Sequence, residues 1–146
     1  MKVLLRLAVC LLLGAAPLGA ANADREGAML GLNTLRAQHG LAPLSWSRKL
    51  EKAARRHAKD MERNGFFSHM GSDGSRIADR LHSVGYGFCA AAENIAKGQP
   101  SQPMVMASWR QSRGHRKNML SSSVSEFALV REAGNLWVMV LARPGC

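Results

Sequence analysis

The sequence has 146 residues, 47% of them hydrophobic and 21% charged, and a formal net charge of +10. A chain of this length suits one compact domain with a single core. It shows no internal repeat, low-complexity tract or linker, which excludes a repeat array and a multi-domain organisation.

The first 23 residues have the pattern of a secretory signal peptide. A positive n-region precedes a short apolar h-region at residues 7–13, and small residues at 21–23 form a cleavage site. The apolar run is too short for a stable membrane span, and Cys10 lies inside it, which argues against a lipoprotein anchor. We therefore expect a mature domain over residues 24–146 of a secreted or periplasmic protein.

Cleavage after residue 23 would remove two cations from the net charge of +10 and leave +8. Such a charge favours attraction to anionic envelope polymers or to a membrane surface. We do not expect nucleic acid as a partner, because the basic residues are spread along the chain rather than gathered with aromatic residues. We expect a monomer.

Three helices are predicted in the first half of the mature chain. Residues 25–39 carry apolar side chains at helical spacing, and Gly40 is placed to end that helix. The connector "LAPLSWS" is extended, and a second helix follows over residues 47–64. Ser75 can cap a third helix that ends at Gly85. The apolar stripe of the second helix consists of Leu50, Ala53, Ala54, His57, Ala58 and Met61.

The second half of the chain predicts both helix and strand. The segment "CAAAENIAKG" is short and apolar, which leaves helix and strand both open. Residues 126–131 and 136–142 alternate in polarity around Gly134, which predicts a β-hairpin. The fold class is therefore α+β, with helices covering an antiparallel sheet. A helix begins near Pro103, and its side chains expected to be buried are Met104, Ala107 and Trp109.

Two of the five histidines lie in segments rich in glycine or serine, where functional side chains are often placed. His69 is in "FSHMGSDG" and His115 is in "SRGHRKN". His57 lies on the apolar stripe of the second helix, so we expect it to be structural, whereas His39 and His82 are expected at the surface. His69 and His115 match no local zinc motif, so only the fold could bring them together.

The stretch "RGHRKNML" has two interpretations. One is a polyanion-binding patch made by Arg113, Arg116 and Lys117. The other is a loop that turns at Gly114, points His115 into a cleft and leaves the cationic neighbours in solvent around its rim.

Two carboxylates differ from those expected on helix surfaces and turns. Glu93 lies in "AAENIA", an apolar context in which a carboxylate needs a partner, and Glu126 begins the first strand of the hairpin. Two histidines and two carboxylates that converged could hold a divalent metal through neutral imidazoles or perform acid–base chemistry.

Two cysteines remain after the signal peptide, with its Cys10, is removed. They are Cys89 and Cys146, which in an exported protein are most simply a disulfide closing a loop of more than fifty residues. The alternative is two free thiols.

Five segments, taken in order, resemble the CAP superfamily, which includes cysteine-rich secretory proteins, insect venom antigen 5 and plant pathogenesis-related proteins. They are "LNTLRAQHGLAPLSWSRKLEKAARRHAKDM", "FFSHMGSDGSRIADRLHSVGY", "AENIAKG", "SWRQSRGHRKNML" and "SEFALV". The chain is most similar to the bacterial, single-domain, SCP-like extracellular branch, and the likeness covers nearly all of residues 24–146. The resemblance implies a three-layer α-β-α sandwich with a central antiparallel sheet.

The resemblance also implies a cleft that holds two histidines and two glutamates. His69 and His115 match the histidines, which would be the metal ligands, and Glu93 matches one glutamate. Eukaryotic members have the other glutamate between Trp109 and the second histidine, where this sequence has no acid. Bacterial relatives often have a glutamate at the position of Glu126, which is therefore the substitute. In an enzyme, Glu93 and Glu126 would be the catalytic carboxylates.

Three classes of function are compatible with these residues. The first is a non-catalytic module at the cell envelope, whose cleft binds a divalent metal such as zinc, a lipid, a sterol or a peptide. The second is a metal-assisted hydrolase of peptide or cell-wall material, with Glu93 as the base. The third is a purely structural exported domain. We favour the first, because two histidines without a certain third ligand are fewer than most catalytic zinc sites use.

Overall fold

The computed structural model describes residues 23–145. Residues 1–22, with Cys10, lie outside the described residues, so the signal peptide and its cleavage stay predictions. Cys146 also lies outside them. In the described part of the chain, no helix is both long enough and apolar enough to cross a membrane.

Single helices or helix pairs are separated by strands along the described chain, and a short 3-10 turn joins the last two strands. The helices are α1 (Arg25–Ala37), α2 (Arg48–Asn64), α3 (Ile77–Ser83), α4 (Gln102–Gln111) and α5 (Arg113–Met119). The strands are β1 (Ser45–Trp46), β2 (Phe88–Lys97), β3 (Glu126–Glu132) and β4 (Leu136–Pro144), with the 3-10 turn at Ala133–Asn135.

The strands form one sheet in the order β1-β3-β4-β2. The hairpin predicted around Gly134 is confirmed as β3 and β4, and the ambiguous apolar segment is β2, antiparallel to β4. The extended connector contributes β1, which runs parallel to β3. The sheet is therefore mixed, rather than wholly antiparallel as expected, and β2 is one of its edge strands.

Each face of the sheet is covered by helices, because successive side chains of a strand point to opposite faces. On one face, Leu32 of α1 and Trp109 of α4 belong to a core with Phe127 of β3. On the other face, Leu50 of α2 packs in a core with Val138 of β4. The predicted α-β-α layering is confirmed.

The second predicted helix agrees closely with α2. Its stripe was predicted from the 3.6-residue period, and all six stripe residues, including His57, are buried. Gly65 ends the helix with φ of 67°, a left-handed conformation that glycine adopts without a steric penalty.

The stretch around His115 is a helix, and its prediction as a loop is wrong. Helix α4 ends at Gln111, Ser112 has an extended backbone with φ of −83° and ψ of 121°, and α5 begins at the next residue. The change of direction therefore occurs at Ser112, and Gly114 lies within the first turn of α5.

The burial predicted for α4 also needs correction. Trp109 is buried as expected, but Met104 is 53% exposed and Ala107 is exposed. The buried partner of Trp109 is Val105, four residues earlier and therefore on the same helix face.

We expect Cys89 and Cys146 to form a disulfide. The start of β2 and the end of β4 are antiparallel neighbours, and the Gly145 N–H donates to the Gly87 carbonyl at 3.3 Å. The end of the described chain therefore lies beside the segment that carries Cys89. Such a bond contributes about 2–4 kcal/mol to the stability of the fold. Thiol titration of the unfolded, unreduced mature protein should detect no free thiol; two thiols per chain would contradict the pairing.

Candidate functional site

His69, Glu93 and His115 line one cleft of about 830 Å³. His69 lies in the loop between α2 and α3, Glu93 lies in β2, and His115 lies in the first turn of α5. The fold thus brings together three side chains that are far apart in sequence. Most of the remaining lining is apolar and comes from Phe67, Met70, Ile77, Ala91, Ala92 and Ile95.

Glu93 is the buried charge at the centre of this cleft. Its side chain is 4% exposed, and its Oε1 accepts a hydrogen bond from His69 Nδ1 at 2.8 Å. Its Oε2 accepts one from Arg80 Nη2, also at 2.8 Å. His57 Nε2 lies 3.9 Å from the Glu93 Oε1 atom. Both carboxylate oxygens therefore have a donor, as a buried charge requires.

These contacts determine the protonation states of Glu93 and His69. Burial alone would raise the pKa of Glu93, but the hydrogen bond from His69 and the charge of Arg80 outweigh burial and lower it. The hydrogen bond to Glu93 raises the pKa of His69, although partial burial opposes the change. An ionised Glu93 can only accept at this contact, so His69 carries a proton on Nδ1 and, when neutral, keeps a lone pair on Nε2.

His115 is held by contacts at the junction of α4 and α5. Its Nδ1 is hydrogen-bonded to Ser112 Oγ at 2.9 Å, and its ring centroid lies 6.3 Å from that of Trp109. Burial lowers the pKa of His115, and the charge of His69 lowers it further. Neutral His115 is therefore favoured, and its Nε2 has no hydrogen-bond partner among residues 23–145.

Two asparagines attach α5 to β2. Asn94, which is fully buried, donates to the His115 carbonyl at 3.2 Å and accepts from Asn118 Nδ2 at 2.8 Å. Asn118 also donates to the Glu93 carbonyl at 3.4 Å. The position of His115 relative to Glu93 is thus fixed by asparagine side chains that bond to the backbone carbonyls of these two residues.

The structure does not bring Glu126 into the cleft, so the expectation of a second cleft carboxylate is corrected. Glu126 is on the same face of the sheet as Glu93, but β4 lies between their strands. Along β4, Glu126 is opposite Ala142 whereas Glu93 is opposite Val140, which adds an offset of two residues. The Tyr86 hydroxyl donates to Glu126 at 2.9 Å. Burial, together with this hydrogen bond, raises the pKa of Tyr86.

The cations that flank His115 are exposed, as one interpretation of the sequence predicted. Arg113, Arg116 and Lys117 all lie on the solvent side of α5. A helix rather than a loop presents His115, which lines the cleft.

Arg80 is the main site residue that the sequence interpretation missed. It is 7% exposed, and besides Glu93 it donates to the Ser75 carbonyl at 2.9 Å and the His69 carbonyl at 3.1 Å. The sequence contained one signal that Arg80 is buried. It follows the apolar Ile77 by three residues, so the two side chains share one face of the helix. An apolar strand that carries Glu93 also requires a cation from elsewhere.

His69 and His115 line the same cleft, but the described residues do not surround a metal position with three or more ligands. No group of three or more His, Cys, Asp or Glu side chains in the described part of the chain could hold a metal ion. His69 and His115 could each offer Nε2, since neighbours engage both Nδ1 atoms. A carboxylate on the second nitrogen, as His69 has, is the usual outer partner of a metal-binding histidine.

Replacing Arg80 with Met is expected to lower the free energy of unfolding by about 3–5 kcal/mol, because it leaves Glu93 buried without its cation. The double variant Arg80→Met/Glu93→Leu should recover part of this loss, since the unpaired charge is then removed. Arg76→Met, which changes an exposed arginine of the same cleft, is the control and should stay within about 0.5 kcal/mol of the wild type. Urea unfolding followed by tryptophan fluorescence measures all three. Equal stability of Arg80→Met and Arg76→Met would contradict the ion pair's role.

Comparison with known proteins identifies the family. Residues 31–137 match the model of the Cysteine-rich secretory protein family, CAP. A Bacillus subtilis protein named YkwD is 35% identical over 106 residues, which are 72% of this chain and 41% of that protein. The chain therefore spans less than half the length of this curated relative.

Solved structures show the same fold. An extracellular protein containing an SCP domain from Bacillus anthracis matches with a TM-score of 0.75 and 30% identity, covering 81% of this chain and 41% of that one. An outer surface protein from Borrelia burgdorferi matches with a TM-score of 0.73 and 20% identity, covering 86% of this chain and 99% of that one, and shows the fold alone. The chain thus belongs to the CAP family and is a bacterial, SCP-like member of it.

Proposed function

We propose that the protein is a secreted, non-catalytic binding module whose cleft holds a divalent metal such as zinc and an organic ligand. The observation that carries this proposal is the engagement of Glu93. Its side chain is 4% exposed, with one oxygen bonded to His69 and the other to Arg80. A general base must reach the proton it removes. Both oxygens of Glu93 are already hydrogen-bonded, and one of them holds the His69 imidazole in position.

His69 and His115 are the proposed metal ligands. Each has its Nδ1 bonded to a neighbour, Glu93 in one case and Ser112 in the other. Such bonds fix the ring tautomer and leave Nε2 for the ion. Two protein ligands leave the other coordination positions to water or to a bound ligand.

The size and lining of the cleft support an organic ligand. A volume of about 830 Å³ lies within the range of small-molecule sites. Phe67 is 48% exposed and Met70 is 51% exposed, so large apolar side chains face solvent at the cleft. A lipid, a sterol or a peptide with apolar side chains would cover them.

The proposed place of action is the cell envelope. The predicted signal peptide supports secretion, and the similar protein from Bacillus anthracis is described as extracellular. The net charge of +8 expected for the mature chain supports attraction to anionic polymers or membranes there.

A metal-assisted hydrolase acting on peptide or cell-wall material is the second candidate. The His69–Glu93 pair favours it, because an imidazole oriented by a carboxylate also occurs in hydrolytic sites. In that case His69 rather than Glu93 would contact the attacking water. Peptide release by the zinc-treated protein that is lost in His115→Ala would favour this candidate over the binding module.

Calorimetric titration of the mature protein with zinc at pH 7.5 should reveal one site. His115→Ala should abolish the heat of binding and leave the circular dichroism spectrum unchanged, whereas His82→Ala, an exposed histidine of α3 outside the cleft, should bind as the wild type does. Protons compete with the metal for His69, whose pKa is raised above its ordinary value of about 6.5. Zinc affinity should therefore be full above that raised pKa and fall as the pH drops through it. Equal heats for the two variants would contradict the ligand assignment.

Binding to anionic phospholipid vesicles should be sensitive to salt and independent of the cleft. At about 1 M salt the Debye length shrinks to roughly 3 Å, which should abolish co-sedimentation with the vesicles. His115→Ala should sediment as the wild type does, because the expected attraction comes from the overall charge. Vesicle binding that persists at high salt would instead indicate an apolar contact.

A further inference from the structure

The outer edge of β2 is open to another strand along part of its length. The sheet order leaves β2 with β4 as its only strand neighbour within the described residues. The carbonyls of Glu93 and Ile95 point away from β4, since they accept from Asn118 and Trp109 side chains, both at 3.4 Å. N–H and C=O groups of one residue point to the same side of an antiparallel strand and alternate along it. The backbone groups of Ala91 therefore also point outward, and no backbone group in residues 23–145 pairs with them.

A groove follows this edge beyond the cleft. A second depression of about 680 Å³ runs beside β2 from Phe88 to Ala92. It shares Ala91, Ala92 and Asn118 with the cleft, so the two are continuous. Together they extend from Phe88 to Ile95, which is about 23 Å of extended chain. An extended peptide of about seven residues has this length.

The side chains along the groove leave the edge accessible. Residues 90–92 are three consecutive alanines, although strands favour β-branched and aromatic residues. Small side chains at an edge allow a second backbone to approach closely. These alanines pack, partly buried, against the two cores, so no large side chain projects over the edge.

The charge of the groove indicates which peptide would fit. Arg76 lines the cleft and Lys117 lines the second depression, and both are exposed and form no ion pair with another described residue. Among the described residues, the only carboxylate lining either depression is Glu93, which Arg80 already neutralises. The groove therefore presents uncompensated positive charge, which complements an acidic ligand.

We propose that the outer edge of β2, from Phe88 to Ala92, is a strand-addition site for an extended acidic peptide that continues into the cleft. The peptide backbone bonds to the outward groups of Ala91, its acidic side chains reach Arg76 and Lys117, and its apolar side chains cover Phe67 of the cleft. This inference rests on the proposed binding function, because it names the ligand class for the same cleft.

The test uses three fluorescein-labelled octapeptides with blocked ends, measured by fluorescence anisotropy against the mature protein. The first alternates glutamate with valine, the second has the same sequence with alternate amides N-methylated, and the third has lysine in place of glutamate. The first should bind. The second should bind about tenfold more weakly, since it loses backbone donors. The third should bind at least as weakly as the second, because its charge opposes that of the groove.

Variants locate the site on the protein. Ala91→Pro removes an outward N–H and leaves the β2–β4 ladder intact, so it should weaken the acidic peptide about tenfold. Lys117→Glu should weaken it by a similar factor, whereas Lys52→Glu, the same change on the exposed face of α2, should have no effect. If Ala91→Pro fails to fold, the comparison of Lys117→Glu with Lys52→Glu decides the outcome.

Zinc titration of the same samples separates this inference from the proposed function. Zinc binding without peptide binding would overturn strand addition and leave the binding module in place. Equal binding of the N-methylated peptide would reduce the contact to ionic attraction and also overturn strand addition. Binding of the fluorescent fatty acid cis-parinaric acid, with no peptide bound, would assign the cleft to lipid. Failure of zinc, peptide and fatty acid alike would overturn the proposed function as well.

Discussion

The buried charge of Glu93 is the constraint on which the rest of the site depends. An ionised carboxylate taken out of water costs several kcal/mol unless charged partners and hydrogen bonds compensate it. Here the partners come from different elements, Arg80 from α3 and His69 from the loop after α2. Arg80 also donates to the carbonyls of Ser75 and His69, so the same guanidinium fixes the backbone of that loop. One charge in β2 thereby determines where a loop and a helix lie.

Asn94, the next residue of β2, fixes the position of a helix on the other face of the sheet. Adjacent side chains of a strand point to opposite faces, so Glu93 and Asn94 contact different helical layers. Asn94 attaches α5 through the His115 carbonyl and the Asn118 side chain. In the described part of the chain no further strand lies beyond β2, so the two layers meet at this edge of the sheet. The cleft therefore opens at the sheet edge, with His69 on one side and His115 on the other.

The sequence predicted what depends on local periodicity and less of what depends on strand order. Helix α2 and the β3–β4 hairpin followed from periods of 3.6 and 2, whereas α5 was missed because Gly114 was interpreted as a turn. Glycine costs a helix only about 1 kcal/mol relative to alanine, and the burial of Met119 together with the asparagine contacts outweighs that cost. Resemblance to a family identified His69 and His115 as candidates. It could not place Glu126, because the sheet order, which puts β4 between β2 and β3, is not visible in the sequence.

The contacts that build the cleft also limit its chemistry. If Glu93 gave up its bond to His69 to act on a substrate, the imidazole would lose its orientation and the carboxylate would lose one of its two donors. Catalysis by Glu93 would thus disrupt the contacts that hold the site together. Binding makes no such demand, because both histidines keep Nε2 available while their Nδ1 contacts stay intact. A cleft at an edge strand adds outward backbone groups beside those nitrogens. The site offers two fixed imidazoles, an apolar wall and a strand edge, and these features support the proposed binding function.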